Sequence, residues 1–256
     1  MKIKIFSAGI IVVVAAIVLS FSFKKNAAIN NNSMFEPVAV IELFTSQGCS
    51  SCPPADVLLG QTIANAKKDE KKIFALSFHV DYWNRLGWKD PFSESKYSQR
   101  QKDYVSAMGL DGAYTPQMIV NGNSQFVGSD NNSLTQSVAK ALQTKAAVNF
   151  KTLTATYVEG RPIKVQYALE GDFAGGKINF ALVSLSETTV VKRGENGGHT
   201  LQNQNVVRQL ISTRANTAGE IEFANAPQPV KENTAIIAFV QEEKSLKITG
   251  AAIAKN

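Results

Sequence analysis

With 256 residues, 44% of them hydrophobic and only 19% charged, the chain is long enough for a substantial core and two domains, and wholesale disorder is excluded. The formal charge of +6 is not a nucleic-acid signal, because Lys2, Lys4, Lys24 and Lys25 flank one N-terminal apolar segment and the remaining 23 basic side chains face 21 acidic ones. No basic stripe interleaved with aromatics is left, which argues against nucleic acid as a partner.

Residues 5–23 are apolar apart from Ser7, Gly9, Ser20 and Ser22 and follow a basic start. This is the pattern of an export signal or an N-terminal membrane anchor. The stretch approaches bilayer-spanning length, and lysines on both sides leave its orientation undecided. Residues 1–25 are therefore read as signal or tether, 26–36 as an Asn-rich linker, and the rest as a periplasmic or extracellular protein. A disulfide persists in such a compartment.

Residues 38–44 read as a buried strand, and Pro53–Lys68 as a helix ending in the charged run 67–72, whose cations suit its C-terminal dipole. Between them lie the chain's only two cysteines, Cys49 and Cys52, spaced C-x-x-C. A dithiol on a strand-to-helix turn reads first as a redox motif and second as a staple. Closing a four-residue loop contributes about 1.9 kcal/mol by chain entropy, against roughly 4.7 for a hundred-residue loop, so stabilisation alone explains the pair poorly.

Residues 73–80 form a second apolar strand ending in His79, with Asp81 just beyond. A long aromatic loop carries Tyr82, Trp83, Trp88 and Phe92, and a helix runs from Ser93 to about Met108. Tyr114-Thr115-Pro116-Gln117 leads into a strand at 118–120, an Asn121-Gly122 hairpin turn, a strand at Ser124–Val127 and a last helix from Ser129-Asp130. The order up to residue 147 is β, α, β, α, β, β, α. After it come short strand candidates at 150–158, 163–169, 178–185, 206–211, 220–223 and 235–241, the spacing of an antiparallel sandwich. The fold expected is α/β over 37–147, a central mixed sheet flanked by helices, followed by an all-β, sandwich-like domain over 148–256. The glycine-rich loop 193–199 lacks phosphate-loop spacing, and His199 reads as an ordinary loop histidine.

The first half resembles thioredoxin in its strand, its C-x-x-C at a helix start and its Thr-Pro before a hairpin. It is similar still more closely to a family of exported bacterial proteins known as domain of unknown function 1223. The motifs carrying that likeness are E-L-F-T-S-Q-G-C-S-S-C-P-P-A-D at 42–56, S-F-H-V-D-Y-W at 77–83, L-G-W-K-D-P-F at 86–92 and Y-T-P-Q at 114–117, with Val206-Val207-Arg208 near the C-terminus. The resemblance implies a thioredoxin-like fold, a cis bond at Pro116 packed against the dithiol, Thr115 backbone groups facing an extended substrate, and no established reaction. An ordinary trans proline is the alternative.

By analogy Cys49 is the attacking thiol and Cys52 the resolving one, with the helix dipole and unpaired N–H groups favouring a thiolate. Pro53-Pro54 departs from thioredoxin. The helix more naturally begins there, with Cys52 at the cap, which shifts which sulfur feels the dipole. Glu42, on an otherwise apolar strand, reads either as a buried relay for the resolving thiol's proton or as a partly solvated strand residue with its own hydrogen-bond partner. His79 and Asp81 sit at a strand end on the dithiol's edge of the sheet and either support redox chemistry or fix the loop. Tyr82 and Trp83 either wall a peptide site or hold the loop as core.

The leading expectation is an exported thiol–disulfide oxidoreductase acting on protein thiols or disulfides with a separate redox partner and no cofactor. Its rivals are a non-catalytic binding module on the same scaffold and a Cu(I)-type chaperone using Cys49, Cys52 and His79.

Overall fold

The computed structural model describes residues 35–224 and 231–255; the expected signal or tether at 1–25, and the linker as far as residue 34, lie outside the described residues. The elements are β1 Ala39–Thr45, α1 Pro53–Lys68, β2 Ile73–His79, α2 Ser95–Met108, β3 Gln117–Val120, β4 Ser124–Val127, α3 Asn131–Gln143, β5 Val148–Thr156, β6 Ile163–Gly171, β7 Gly176–Val190, β8 Thr200–Arg214, β9 Ala218–Phe223, β10 Thr234–Glu242 and β11 Ile248–Ile253. Among the described residues no helix is long and apolar enough to cross a membrane.

Strand β1 is wholly buried and lies between parallel β2 and antiparallel β3. Its even and odd residues serve different layers, as the period of two requires. Ala39, Ile41 and Leu43 pack with Ala55 and Leu59 of α1 and Leu134 and Ala141 of α3. Val40 and Phe44 pack with Tyr97 and Tyr104 of α2 on the other face. A strand covered on both sides reads as one continuous apolar run, which is why 38–44 looks as it does.

The hairpin between β3 and β4 turns at Asn121 and Gly122, with φ of 48° and 68°. Asn121 also ties β1 down, accepting from Val40 N at 2.7 Å and donating to Val38 O at 2.9 Å. Gly122 has a second reason to be glycine: a Cβ there would lie 2.0 Å from the Leu246 carbonyl oxygen.

The strands after residue 148 do not keep to themselves. One eight-stranded sheet runs β11-β10-β7-β8-β2-β1-β3-β4, so four of the later strands extend the central sheet across the expected boundary at 147/148. The remaining three form a small sheet, β5-β6-β9, on the face away from α2. It is packed through Val148, Leu153, Val165 and Tyr167 onto Ile178, Phe180, Ile236 and Ala238. Sandwich packing is therefore present, but one of its two layers belongs to the central sheet. The physical reason is the open edge of β2, whose backbone groups need partners. Strand β8 supplies them at Ser77↔Val206, and Asn205 Nδ2 donates to Ala75 O at 2.9 Å.

Candidate functional site

The sequence from β1 to α1 makes a tight turn. Cys49 N bonds Ser46 O and Cys52 N bonds Cys49 O, each at 3.2 Å, and Cys52 sits at the N-cap of α1 with Pro53 and Pro54 as its first helical residues. Cys49 and Cys52 form a disulfide with Cα atoms 5.4 Å apart, and both residues are 0% exposed. The prolines change how this helix start can act. They carry no N–H, and the next two N–H groups, of Ala55 and Asp56, both bond the Cys52 carbonyl at 2.9 and 3.2 Å. The expected support from unpaired helix N–H groups is thus taken up. Hydroxyls stand near Cys49 instead: Thr115 Oγ1 donates to its sulfur at 3.4 Å, and Ser51 Oγ lies at 3.3 Å. The Thr115–Pro116 bond is cis.

Trp83 orders this contact, its indole N–H donating to Thr115 Oγ1 at 2.8 Å. Tyr82 donates to Gln101 Oε1 at 3.2 Å, and both aromatics pack against the core cluster around α2. They hold the loop and, through Trp83, reach the dithiol's neighbour. Asp81 fixes the loop to α2, accepting from Ser98 Oγ at 2.5 Å.

Glu42 is not part of the dithiol environment. It shares a face with Val40 and Phe44, away from α1, where Arg100 Nε and Nη2 hold its carboxylate at 2.5 and 2.9 Å and the Tyr104 hydroxyl also donates to it. Burial and that negative charge push the Tyr104 phenol well above its ordinary range. Glu42 belongs to a satisfied buried ion pair: it has the hydrogen-bond partners of the second reading but not the partial solvation that reading expected.

A buried acid that the expected site omitted, Asp56, stands in the first turn of α1 beyond Cys52. It follows Cys52 by four residues, the spacing that stacks side chains on one helix face. Asp56 Oδ2 accepts from Thr45 Oγ1 at 3.1 Å, while its buried Oδ1 has no hydrogen-bond partner. Burial pushes its carboxyl up to about 7, against the opposing pull of His79, Thr45 and Asn203. His79 pairs with Asp90, Nδ1 to Oδ2 at 2.7 Å, with neither side chain exposed. Burial alone would lower the imidazole's proton affinity, but the charge and hydrogen bond of Asp90 outweigh it and raise it. Burial would likewise raise Asp90, and His79 with the Gln47 and Phe92 N–H groups hold it below the usual carboxylate range.

A strap from the β7–β8 connection crosses the turn. Asn196 Nδ2 donates to the carbonyls of Gln47 and Cys49, both at 2.9 Å, and Glu195 Oε2 accepts from Ser50 N at 3.0 Å and Ser50 Oγ at 2.7 Å. Those Ser50 bonds hold the exposed Glu195 carboxyl below its ordinary range. Gly194, at φ of 78°, lets the strap press on Trp88, whose Cβ would be 3.1 Å from an added side chain. His199 stays in the strap, its Nδ1 3.3 Å from Asn196 O. Among the described residues no three His, Cys, Asp or Glu side chains are grouped to hold a metal ion.

No curated protein matches the chain. Among solved structures it is similar to the crystal structure of protein AGR_C_4864 from Agrobacterium tumefaciens, at 27% identity over 86% of this chain and 95% of that one, with a TM-score of 0.63. A domain of the outer membrane lipoprotein Omp28 from Porphyromonas gingivalis matches at 20% identity over 43% of this chain and 88% of that one, but with a TM-score of 0.23 the likeness carries no argument. The family described as "Protein of unknown function (DUF1223)" matches residues 40–241, so the chain, C-S-S-C turn and strap included, belongs to that family.

Proposed function

We propose that the protein is an exported, thioredoxin-like thiol–disulfide oxidoreductase that acts on protein thiols or disulfides through Cys49 and Cys52. The observation that carries this reading is the pairing of a disulfide at a helix start with a buried carboxyl, Asp56, one turn along and half-titrated near neutral pH. In the reducing direction the Cys49 thiolate, supported by the Thr115 and Ser51 hydroxyls, attacks a substrate sulfur. A Cys49–substrate disulfide forms and one substrate thiolate leaves. Cys52 then gives its proton to Asp56 Oδ1 and attacks the Cys49 sulfur. The Cys49–Cys52 bond forms, the second substrate thiolate leaves, and two electrons have passed to the substrate. Oxidation runs the same steps in reverse. The basic, apolar residues 1–25 support export to the periplasm or beyond, as signal or tether.

Insulin reduction and refolding of scrambled ribonuclease by the full chain test the reading. Turnover that disappears in Cys49→Ser supports it, and no turnover in either assay sinks it. One observation favours a second reading, a binding module whose disulfide is a staple: neither cysteine is exposed beneath the strap. A reduction potential well below about −300 mV would support that reading.

A further inference from the structure

Three buried side-chain atoms without a hydrogen-bond partner lie in the layer between the sheet and α1, Asp56 Oδ1, His79 Nε2 and Ser77 Oγ, and the first two belong to groups that titrate. Their elements bring them together. Thr45 and His79 are partners in the parallel register of β1 and β2, so both project to the face that α1 covers. Thr45 Oγ1 donates to Asp56 Oδ2, which sets the carboxyl over that pair. The other imidazole nitrogen is taken by Asp90, and Asp90 is itself fixed by Gln47 N at 2.8 Å and Phe92 N at 2.9 Å. The ring is therefore clamped from behind, with its open nitrogen in the layer Asp56 occupies.

The charged and polar groups facing this pair come from every element around it. Asp56 feels His79 from β2, Asp90 from the loop after it, Thr45 from β1 and Asn203 from β8. His79 feels Asp90, Asp56 and, from β8, Arg208. Arg208 is itself paired with Glu187 at 3.0 Å. With Asp90 ionised, its charge and hydrogen bond raise the His79 imidazole above its ordinary range and so favour the imidazolium. Without the imidazolium charge Asp56 would face burial and the negative charge of Asp90 together, both of which disfavour its carboxylate. A carboxyl that is ionised in fewer molecules takes the thiol's proton less often.

We propose that His79, clamped by Asp90, is the positioning residue whose charge keeps Asp56 able to accept the Cys52 proton, and so sets the pH at which a mixed disulfide is resolved. This rests on the exchange reading above. In the step the Cys52 S–H bond breaks and an Asp56 O–H bond forms. Cys52 takes the place of the substrate sulfur on Cys49, and the substrate leaves as a thiolate with the electron pair. His79 keeps its proton throughout.

The test has one readout that needs no activity and one that does. Carbon-13 carboxyl resonances of the oxidised full chain give the Asp56 midpoint in the native protein, His79→Gln and Asp90→Asn. Stopped-flow resolution of a Cys49–peptide mixed disulfide gives the rate against pH. Losing the imidazolium should move the Asp56 midpoint up by a unit or more, a loss of at least about tenfold in acidity, and slow resolution about fivefold or more at pH 7. Asp90→Asn should shift both the same way by a smaller amount, because it also removes the Asp90 charge that opposes the Asp56 carboxylate, and it serves as the test if His79→Gln does not fold. A midpoint within about 0.3 unit of native in the folded variants overturns the proposal. A shifted midpoint with no peptide exchange at any pH instead overturns the oxidoreductase reading and leaves the His79–Asp56 coupling standing.

Discussion

Trp83 fixes the hydroxyl of Thr115: its indole N–H, 2.8 Å away, occupies one lone pair and leaves the Thr115 proton to the Cys49 sulfur at 3.4 Å. Because Pro53 and Pro54 remove the usual helix N–H donors, this hydroxyl carries more of the work of holding a thiolate. A hydrogen bond of about 1 kcal/mol, lost from the ionised form only, corresponds to about 0.7 of a pH unit. Thr115→Val should raise the Cys49 thiol by that amount, measured as the pH dependence of alkylation in the reduced protein. Trp83→Phe, which frees the hydroxyl to turn, should raise it by a smaller step. An unchanged alkylation profile in Thr115→Val would mean that the hydroxyl is packing only.

The strap predicts how fast the disulfide is reached. Glu195 holds the turn through two bonds from Ser50, on an exposed surface where solvent screening keeps such contacts weak. Asn196 makes its two bonds while buried, so its loss costs more. Reduction of the native disulfide by dithiothreitol should be about three- to fivefold faster in Glu195→Ala and faster again in Asn196→Ala. Equal rates in all three proteins would show that the sulfurs are reached without moving the strap.

Local patterns announced the first half of this architecture well and the joining of the halves hardly at all. Pro53 and Pro54 mark where α1 begins, and Asn121-Gly122 marks its hairpin, because each is a backbone constraint carried by the residue itself. Strand β8 is different. Its first half, T-L-Q-N-Q-N, pairs with the polar end of β7 in an arm with little apolar content, so no alternation exposes it. Its junction with β2 is one registered pair plus the Asn205 side chain, and no periodicity encodes that. The site divides the same way. Asp56 stands at helical spacing from Cys52, and the period of two in β1 puts Glu42 on the Phe44 face, so both were legible in principle. Asp90 and Glu195 come to the turn from far along the chain. Nothing local in R-G-E-N-G-G says where that loop lands.

Glu42 tests the distinction between structure and chemistry. Its pairing with Arg100 and Tyr104 joins β1 to α2, and Gln241 of β10 extends the cluster by donating to the Tyr104 hydroxyl at 2.7 Å. Removing one member of a buried ion pair leaves the other uncompensated and costs roughly 3 to 5 kcal/mol. Glu42→Gln should lose stability of that order in chemical denaturation. The alkylation profile of Cys49 should not move, since the carboxylate lies on the face away from α1. A shifted profile would return Glu42 to the dithiol's proton path.

Asp56 predicts a stability that depends on pH in an unusual direction. Its carboxyl is raised from an ordinary 3.8 to about 7 by burial, so the folded protein holds a proton there that the unfolded chain has released. Stability from this group is therefore full below pH 3.8 and falls as pH rises towards 7, the opposite of a salt-bridged carboxylate. At pH 8 the native protein carries the whole cost of a buried charge, on the order of 2 to 4 kcal/mol. Asp56→Asn keeps the shape and removes the charge. Urea denaturation of the oxidised protein should find the variant more stable than native at pH 8 by that order, with the difference shrinking towards pH 5. Partial loss of the Thr45 hydrogen bond sets the level at which the two curves meet. An advantage for the variant that is the same at both pH values would show that Asp56 does not titrate in this range, and would remove the proton acceptor on which resolution by Cys52 depends.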